Sequence, residues 1–424
     1  MDVNAPLQNI ILAAALFGAT SLQAGTNTLA VDAVVTEVLA HNPALQGARS
    51  RWESMRERVP QARSWEDPTA SFDTSAGRFV SVPANSFTDQ KFMVEQKIPW
   101  GGKRALRGQA AEIEARMAFE EFRRRRLDLA TQARVSVFQL ANAQAQLEVN
   151  RQTTKLLEQA ATLARSKYEA GRQSQADLLT AEIELSKLSE AAVDLRLREA
   201  NAETRLNVLM NRRPGTAVDP PPAMEFTPID FSLAQLETLI AEQRPEIRVA
   251  GQKIEAARAR VELARKEKTS DPSVRIEADR YNGAGQPISE ITAGISVPLP
   301  WFNRRKYDAA IRENQLLQET AEHELASIRA DSLGRLRDQL NQIEALHHHV
   351  DLSRSRLLPL ARQTARSRQI NYESDKGSFA DWLIAQQSVR ELETMYWTHL
   401  ADYHSAIAEL ESIVGGPLST KETK

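Results

Sequence analysis

Apolar positions along the chain follow two different periods, and each predicts its own kind of element. Between Trp100 and Arg213 there is no proline, and Leu, Ala, Glu, Gln, Arg and Lys dominate, all strong helix formers. Ala133, Val137, Leu140 and Leu147 step by 4, 3 and 7, a heptad-like seam with Gln144 in the gap, and Leu156, Ala160 and Leu163 continue it. As one helix, the roughly 65 residues from Gly102 to Tyr168 rise about 100 Å, more than a globular domain uses. Alanine at many apolar positions makes the stripe thin, suited to close packing of several neighbouring helices. Taken alone, these helices fit a cytosolic coiled-coil rod as well as any other long bundle.

Four shorter segments have period two, the mark of a strand with one apolar and one polar face. Phe92, Val94 and Ile98 alternate with Met93, Glu95 and Lys97; Val274, Ile276 and Ala278 alternate with Arg275, Glu277 and Asp279. Ile291, Ala293, Ile295 and Val297 alternate with Thr292, Gly294 and Ser296, while the segment from Thr69 to Phe79 carries Phe72 among small polar residues. Strands are expected over about residues 69–80, 87–98, 273–281 and 289–298. Runs of about 8 to 11 residues approach what a tilted strand needs to cross a hydrocarbon layer. Loops rich in Gly, Ser, Pro and Asn, Ser81 to Ser86 and Asn282 to Gln286, join them into two hairpins. Such hairpins either cap a soluble coiled coil or stand with lipid on one face and water on the other.

The chain repeats itself. His41-Asn42-Pro43-Ala44-Leu45 is echoed by Gln243-Arg244-Pro245-Glu246-Ile247, Asp67-Pro68 by Asp271-Pro272, and Ile98-Pro99-Trp100 by Leu299-Pro300-Trp301. Tyr168-Glu169 with Ser174, Asp177, Leu178 and Leu179 is echoed by Tyr372-Glu373 with Ser378, Asp381, Trp382 and Leu383, and every offset lies between 201 and 204 residues. Four separated punctuation marks in one order indicate a duplication. The expected units are residues 25–212 and 232–417, joined by a Pro-rich linker over 213–231 and followed by a tail over 418–424. Each opens with a helix (about Val31 to Arg63; Leu233 to Lys268), continues through a hairpin, and ends in a long helical stretch broken once, near Gly171 or Lys376-Gly377, before a return helix.

Composition narrows the function. The sequence has 424 residues and no cysteine, which removes disulfides, thiol ligands and thiol nucleophiles. Lys and Arg number 54 against 56 Asp and Glu, so there is no basic field for nucleic acid. Mean hydropathy is −0.44, and no apolar run reaches the roughly 20 residues of a spanning helix. Residues 1–24 read as a signal peptide, with Ile10 to Ala19 as its apolar centre, although the leading segment carries Asp2 and no Lys or Arg. If the hairpins lie in lipid, four strands are too few to close a barrel and their open edges cannot stand there. A ring of several chains is then required.

With these features together the chain resembles the TolC family of outer-membrane efflux proteins from about Val31 to Pro417. The carrying features are the duplication, the hairpin between helices and the Tyr-x-x-Gly-x-x-Ser-x-x-Asp-Leu-Leu tip over Tyr168 to Leu179. The phrases Ile98 to Arg104 and Val297 to Arg305 look most like the CzcC-type heavy-metal branch. The resemblance implies a mostly α fold with a small β part: a homotrimer whose four transmembrane strands per chain make a 12-stranded barrel in outer-membrane lipid, above a periplasmic α-barrel of long coiled helices. It implies a passive duct reached through a periplasmic adaptor and fed by an inner-membrane pump of the RND class, with heavy-metal cations favoured over drugs. Type I secretion shares the fold, and a soluble coiled-coil scaffold is the alternative of another class.

The tips carry the candidate working residues. Gly171 suits the left-handed end of a helix, and Ser174-x-x-Asp177 and Ser378-x-x-Asp381, the latter just after Gly377, have capping-box spacing. The resemblance places Asp381 at an aperture where three copies form a negative ring, with apolar Ile384 at the family's second acidic position. It places Tyr372 at a tethering tyrosine, with Tyr168 and Asp177 as the first-half counterparts, while Gly377 stands where a tethering arginine would be. His347-His348-His349 cannot share one ion on a helix, since adjacent side chains diverge by about 100°; Asp351, four after His347, offers a weak two-ligand site at best, and the run is read as a solvated face. Arg123 to Arg126 is likewise read as a solvated turn of helix, with lining of the tube as the alternative. No cofactor or metal site is expected. No HExxH, GxSxG, P-loop or dinucleotide fingerprint occurs, so no enzymatic chemistry is expected either.

Overall fold

Proline makes the first division of each repeat. The opening helix, expected as one piece, is two: α1 (Val31–His41) and α2 (Pro43–Arg63) in the first repeat, and α5 (Leu233–Gln243) and α6 (Pro245–Lys266) in the second. A residue before proline is kept out of the helical region, and Asn42 and Arg244 sit at ψ 120°. Both breaks are tied down alike. Asn42 Nδ2 donates to the Leu209 carbonyl at 2.9 Å, and Arg244 Nη1 donates to the Ile413 carbonyl at 3.0 Å. Two unlike side chains at equivalent positions thus hold equivalent ends of the return helices.

The computed structural model describes residues 29–74, 89–172, 174–228, 232–281 and 288–418. The signal-peptide expectation, both hairpin loops and residues 419–424 fall outside the described residues. The first repeat continues through β1 (Thr69–Thr74), β2 (Asp89–Lys97), α3 (Lys103–Glu169) and α4 (Gln175–Leu209); the second through β3 (Ser273–Tyr281), β4 (Ile288–Ser296), α7 (Arg304–Leu352), α8 (Leu358–Glu373) and α9 (Phe379–Val414). α3 has 67 residues, about 100 Å of rise. Pro359 lacks the N–H that a helix carbonyl four residues back needs. Ahead of it the chain widens into a π-helical turn over Ser353–Leu357 and continues as α8.

Long helices lie side by side in one layer. Near the sheet α3 packs between α2 and α6, with α7 beyond α6; further down it packs between α4 and α9. Each repeat has its own core at mid-length. Val34, Val38, Leu129, Val137, Leu140 and Leu206 form the first, and Leu236, Ile240, Leu336, Ile343, Tyr403 and Leu410 the second. The predicted seam residues Ala133, Val137 and Leu140 are fully buried. Among the described residues no helix is long and apolar enough to cross a membrane.

The four strands form one antiparallel sheet in the order β1-β2-β3-β4, so the two repeats meet at β2 and β3 while β1 and β4 are its edges. The register places Phe72, Phe92, Ala278 and Ile291 in one row, and Ala70, Val94, Ile276 and Ala293 two residues along. This apolar face is the exposed one: Ile291 is 79% and Ile295 74% accessible, while Glu277 and Asp279 on the other face are each 8% accessible. A sheet with exposed aliphatics and sheltered carboxylates is turned inside out relative to a water-soluble one.

Sheet and helices are joined by a buried charge pair. Lys103 Nζ, at the start of α3, donates to Asp271 Oδ1 at 2.8 Å and to the Thr269 carbonyl at 2.7 Å. Asp271 Oδ1 also accepts from the Trp100 N–H at 2.9 Å. Burial pushes the Asp271 carboxyl up, but the Lys103 bond and the Trp100 N–H outweigh it and hold the group below the usual carboxylate range. A lowered pKa stabilises the fold above the unfolded value of about 3.9, and the contribution is lost as pH falls through the folded value. Asp271→Ala strands a buried ammonium and is expected to cost about 3–5 kcal/mol, read as a lower urea midpoint for loss of helical circular dichroism. Lys103→Met combined with Asp271→Ala is expected to recover most of that loss; a change within about 0.5 kcal/mol for the single variant would show that the joint does not depend on this pair.

Candidate functional site

At the end of the helical layer far from the sheet, two helix hairpins meet: α3 with α4, and α8 with α9. Their turns are built identically. Arg172 N donates to the Lys167 carbonyl at 2.9 Å and Gly171 N to the Tyr168 carbonyl at 2.8 Å; Lys376 N donates to Asn371 at 2.8 Å and Asp375 N to Tyr372 at 3.3 Å. This double bond is the Schellman helix ending, whose cap residue is left-handed. Gly171 takes φ 68° and Asp375, at the equivalent position, φ 56°. The second turn therefore places an aspartate where glycine is favoured. Gly377 is not left-handed; a Cβ there would approach Asn371 Cβ to 3.1 Å.

The two caps differ. Ser378 Oγ accepts from the Asp381 N–H at 3.1 Å, as its spacing predicts. Ser174 precedes α4 without a side-chain cap bond; the Asp177 N–H instead reaches the Ser174 carbonyl at 3.4 Å. The capping box expected at Ser174 and Asp177 is thus absent, because the backbone carbonyl takes the donor that the hydroxyl would have taken.

Between the hairpins lies an aromatic core. Tyr372, Phe379 and Trp382 are buried with Leu157, Ala181 and Leu188, and the Tyr372 and Trp382 rings stack at 5.5 Å and 19°. Burial pushes the Tyr372 phenol up to about 12, with the negative charges of Asp177 and Asp375 adding to it. Tyr168, its first-repeat counterpart, is 42% accessible. Lys167 crosses from one hairpin to the other. Its Nζ donates to the Tyr372 carbonyl at 2.6 Å and to Asp375 Oδ1 at 2.7 Å, and lies 4.4 Å from the Tyr372 ring centroid. The Lys167 bond holds the Asp375 carboxyl below the usual range. Asp381 is exposed and faces Arg368 Nη1 at 3.6 Å, and Ile384 is 63% accessible. Sequence reasoning missed Lys167, Asp375 and Arg368. A signal existed for Asp375, which falls on Gly171 at the repeat offset of 204; none marked Lys167, whose repeat counterpart is Asn371.

A second charged site is the polar face of the sheet, buried at Glu277 and Asp279 and open at Asp73 and Glu290. It carries Asp73, Asp89, Glu95, Glu277, Asp279 and Glu290 against Lys91, Lys97 and Arg275, six negative groups and three positive, a net charge of −3. Lys91 pairs with Glu277. The histidine run is not a plain solvated face. His347 packs against Phe226 and Tyr403, and His349 stacks on His399 at 4.9 Å. His348 and His349 both stay exposed, as expected of a solvated face, while His347 is half-buried where the linker and α9 cover α7. Among the described residues no group of three or more His, Asp or Glu is placed to hold a metal ion. In the Arg123 to Arg126 run, Arg123 bonds Glu120 at 2.7 Å and Arg124 faces Glu121 at 3.4 Å.

Comparison with known proteins agrees with this architecture. The family model described as outer membrane efflux protein matches residues 34–212 and 237–416, one match per repeat. The chain is 23% identical over 397 residues to the cobalt-zinc-cadmium resistance protein CzcC of Cupriavidus metallidurans, covering 91% of this chain and 90% of that one. It is 23% identical over 394 residues to protein CyaE of Bordetella pertussis, covering 88% and 81%. Among solved structures, that of CusC, a former of transmembrane channels, superposes with a TM-score of 0.76 at 17% identity over 91% of this chain and 92% of that one. Matched in both halves and carrying an inside-out sheet on a long helical extension, the chain belongs to the TolC-type outer membrane efflux proteins, a family of channels and not of enzymes.

Proposed function

We propose that three copies of this chain close into one duct, the outer-membrane exit of a tripartite pump, and that its cargo is heavy-metal cations. The observation that carries the reading is the inside-out sheet with two open edges. Among the described residues β1 and β4 have no outer neighbour, and unpaired backbone groups are not tolerated in hydrocarbon. Three chains of four strands supply twelve, with apolar rows toward lipid and carboxylates toward water. The polar faces then bring together three charges of −3, a field that admits cations and opposes anions. Similarity to a cobalt-zinc-cadmium resistance protein points the same way. A periplasmic adaptor at the tips and an inner-membrane RND transporter supply entry and energy, as the family resemblance implies. Drugs and secreted proteins are the competing cargoes.

The tips act as the gate. Asp381 of three copies makes a negative aperture, with Tyr372 and Asp177 packed behind it and Tyr168 at the rim. Gly171, Ser174, Gly377 and Ser378 shape the two turns that present these groups. Arg368 offsets part of the Asp381 charge, though an exposed pair at 3.6 Å contributes only about 0–1 kcal/mol. Lys167 ties the hairpins within one copy, the role left open by the glycine at 377.

Three outcomes test this. A strain lacking the protein is expected to lose tolerance to zinc, cobalt and cadmium while keeping tolerance to drugs; the reverse pattern would replace metals by drugs as cargo. Asp381→Asn is expected to lower the cation-to-anion permeability ratio of the reconstituted pore, and an unaltered ratio would reduce Asp381 to a helix-capping position. Lys167→Met is expected to speed amide hydrogen exchange in both tip turns and to raise the open fraction in single-channel records. The Asp375 tie is present above the ordinary carboxylate range and is lost as pH falls below it. Wild-type exchange in the turns is therefore expected to approach that of Lys167→Met in strong acid, and identical exchange in both proteins at neutral pH would remove Lys167 from the gate.

A further inference from the structure

The two copies of the Pro-Trp-basic phrase have been put to different uses. In the first, the cations turn inward. Lys103 is buried on Asp271, Arg104 lies 5.0 Å from the Trp65 ring centroid, and Arg107 faces Glu66 at 3.6 Å. In the second, Pro300–Asn303 form a short 3-10 turn and α7 opens with Arg304, Arg305 and Lys306, all exposed and none within ion-pair distance of a carboxylate among the described residues. Asp308, one turn on, is already held by Lys268 at 2.6 Å. Local offsets are slight: Arg304 acts on Asp308 only through space, and Lys306 Nζ lies 5.6 Å from the Tyr307 ring centroid. Three cations in the first helical turn oppose the helix dipole, and that turn has no acidic residue to offset them. The preceding aromatics are exposed as well, Trp301 by 51% and Phe302 by 81%.

Position explains the pattern. The segment follows β4 directly and continues its exposed row, Ile291, Ile295 and Val297, beyond the end of the strand. Exposed aliphatics, then Trp and Phe, then three cations is the order of hydrocarbon, interface and headgroup layer along a membrane normal. We propose that Trp301, Phe302, Arg304, Arg305 and Lys306 form a docking surface for the phosphate headgroups of anionic phospholipid in the leaflet facing the helical layer. This rests on the outer-membrane placement and adds to it a lipid selectivity carried by one repeat only. The cations bind the phosphate charge; Trp301 and Phe302 set their depth.

Brominated lipids test it with the full-length protein in phosphatidylcholine vesicles. The readout is quenching of Trp301 fluorescence, taken as the difference between wild type and Trp301→Phe, by brominated phosphatidylglycerol or brominated phosphatidylcholine at equal mole fraction. Phosphatidylglycerol is expected to associate more strongly, with a loss of about fivefold for each cation neutralised, from roughly 1 kcal/mol per basic residue near an anionic surface. The triple variant Arg304→Gln, Arg305→Gln, Lys306→Gln is expected to lose the preference while phosphatidylcholine still quenches; Arg104→Gln is expected to keep it. Equal quenching by the two lipids in wild type, an unaffected triple variant, or abolition of the preference by added inorganic phosphate would each overturn the lipid site while leaving the channel intact. Absence of quenching at every tryptophan by either lipid would instead overturn the membrane placement beneath it.

Discussion

A β-strand edge inside hydrocarbon leaves N–H and C=O groups with nothing to bond, at several kcal/mol for each group. The sheet of this chain has two such edges, and its exposed face is the apolar one. No rearrangement within a single copy closes four strands into a cylinder, so other copies must supply the partners. The helical layer has the same property lower down: α4 and the α7–α8 helix each have packed neighbours on one side and exposed Ile183, Val193, Leu333 and Ile370 elsewhere. One demand, closure, thus accounts for the sheet, the helices and the tip, where equivalent turns from several copies would meet on one axis.

Much of this was legible in the chain, and the limits have physical reasons. Period-two alternation located β2, β3 and β4 because one face of each strand is apolar through its centre: Phe92 and Val94, Val274, Ile276 and Ala278, and Ile291, Ala293 and Ile295. β1 was weaker because Phe72 is its only large apolar residue. The long helices were legible from absent proline and steady helix formers, yet Pro43 and Pro245 divide opening helices that read as continuous, and Pro359 does not end the helix it interrupts. A single proline decides nothing until the helix around it is known to have packing that holds it together.

The tip illustrates a different limit. Glycine at 171 signals a left-handed cap, but the same conformation at Asp375 is enforced by the turn and by the Lys167 bond, which joins residues 208 apart. Contacts between the repeats leave no local pattern. The Ser174 cap fails for the opposite reason: its spacing is right, but a competing carbonyl takes the N–H. Duplication itself was the strongest signal, and its divergence is informative. Asn42 and Arg244 do the same work with different groups, whereas Lys103 and Arg304 do different work from equivalent positions.

The sequence contains no cysteine, so single-cysteine variants report one site each. The most direct measurement places cysteine in turn at 290, 291, 292, 293 and 295 and compares labelling by a water-soluble thiol reagent with labelling by a membrane-confined one in whole cells. Aqueous labelling at 290 and 292, with lipid-phase labelling at 291, 293 and 295, is expected of an inside-out sheet closed into a barrel. Uniform aqueous labelling at all five positions would contradict it.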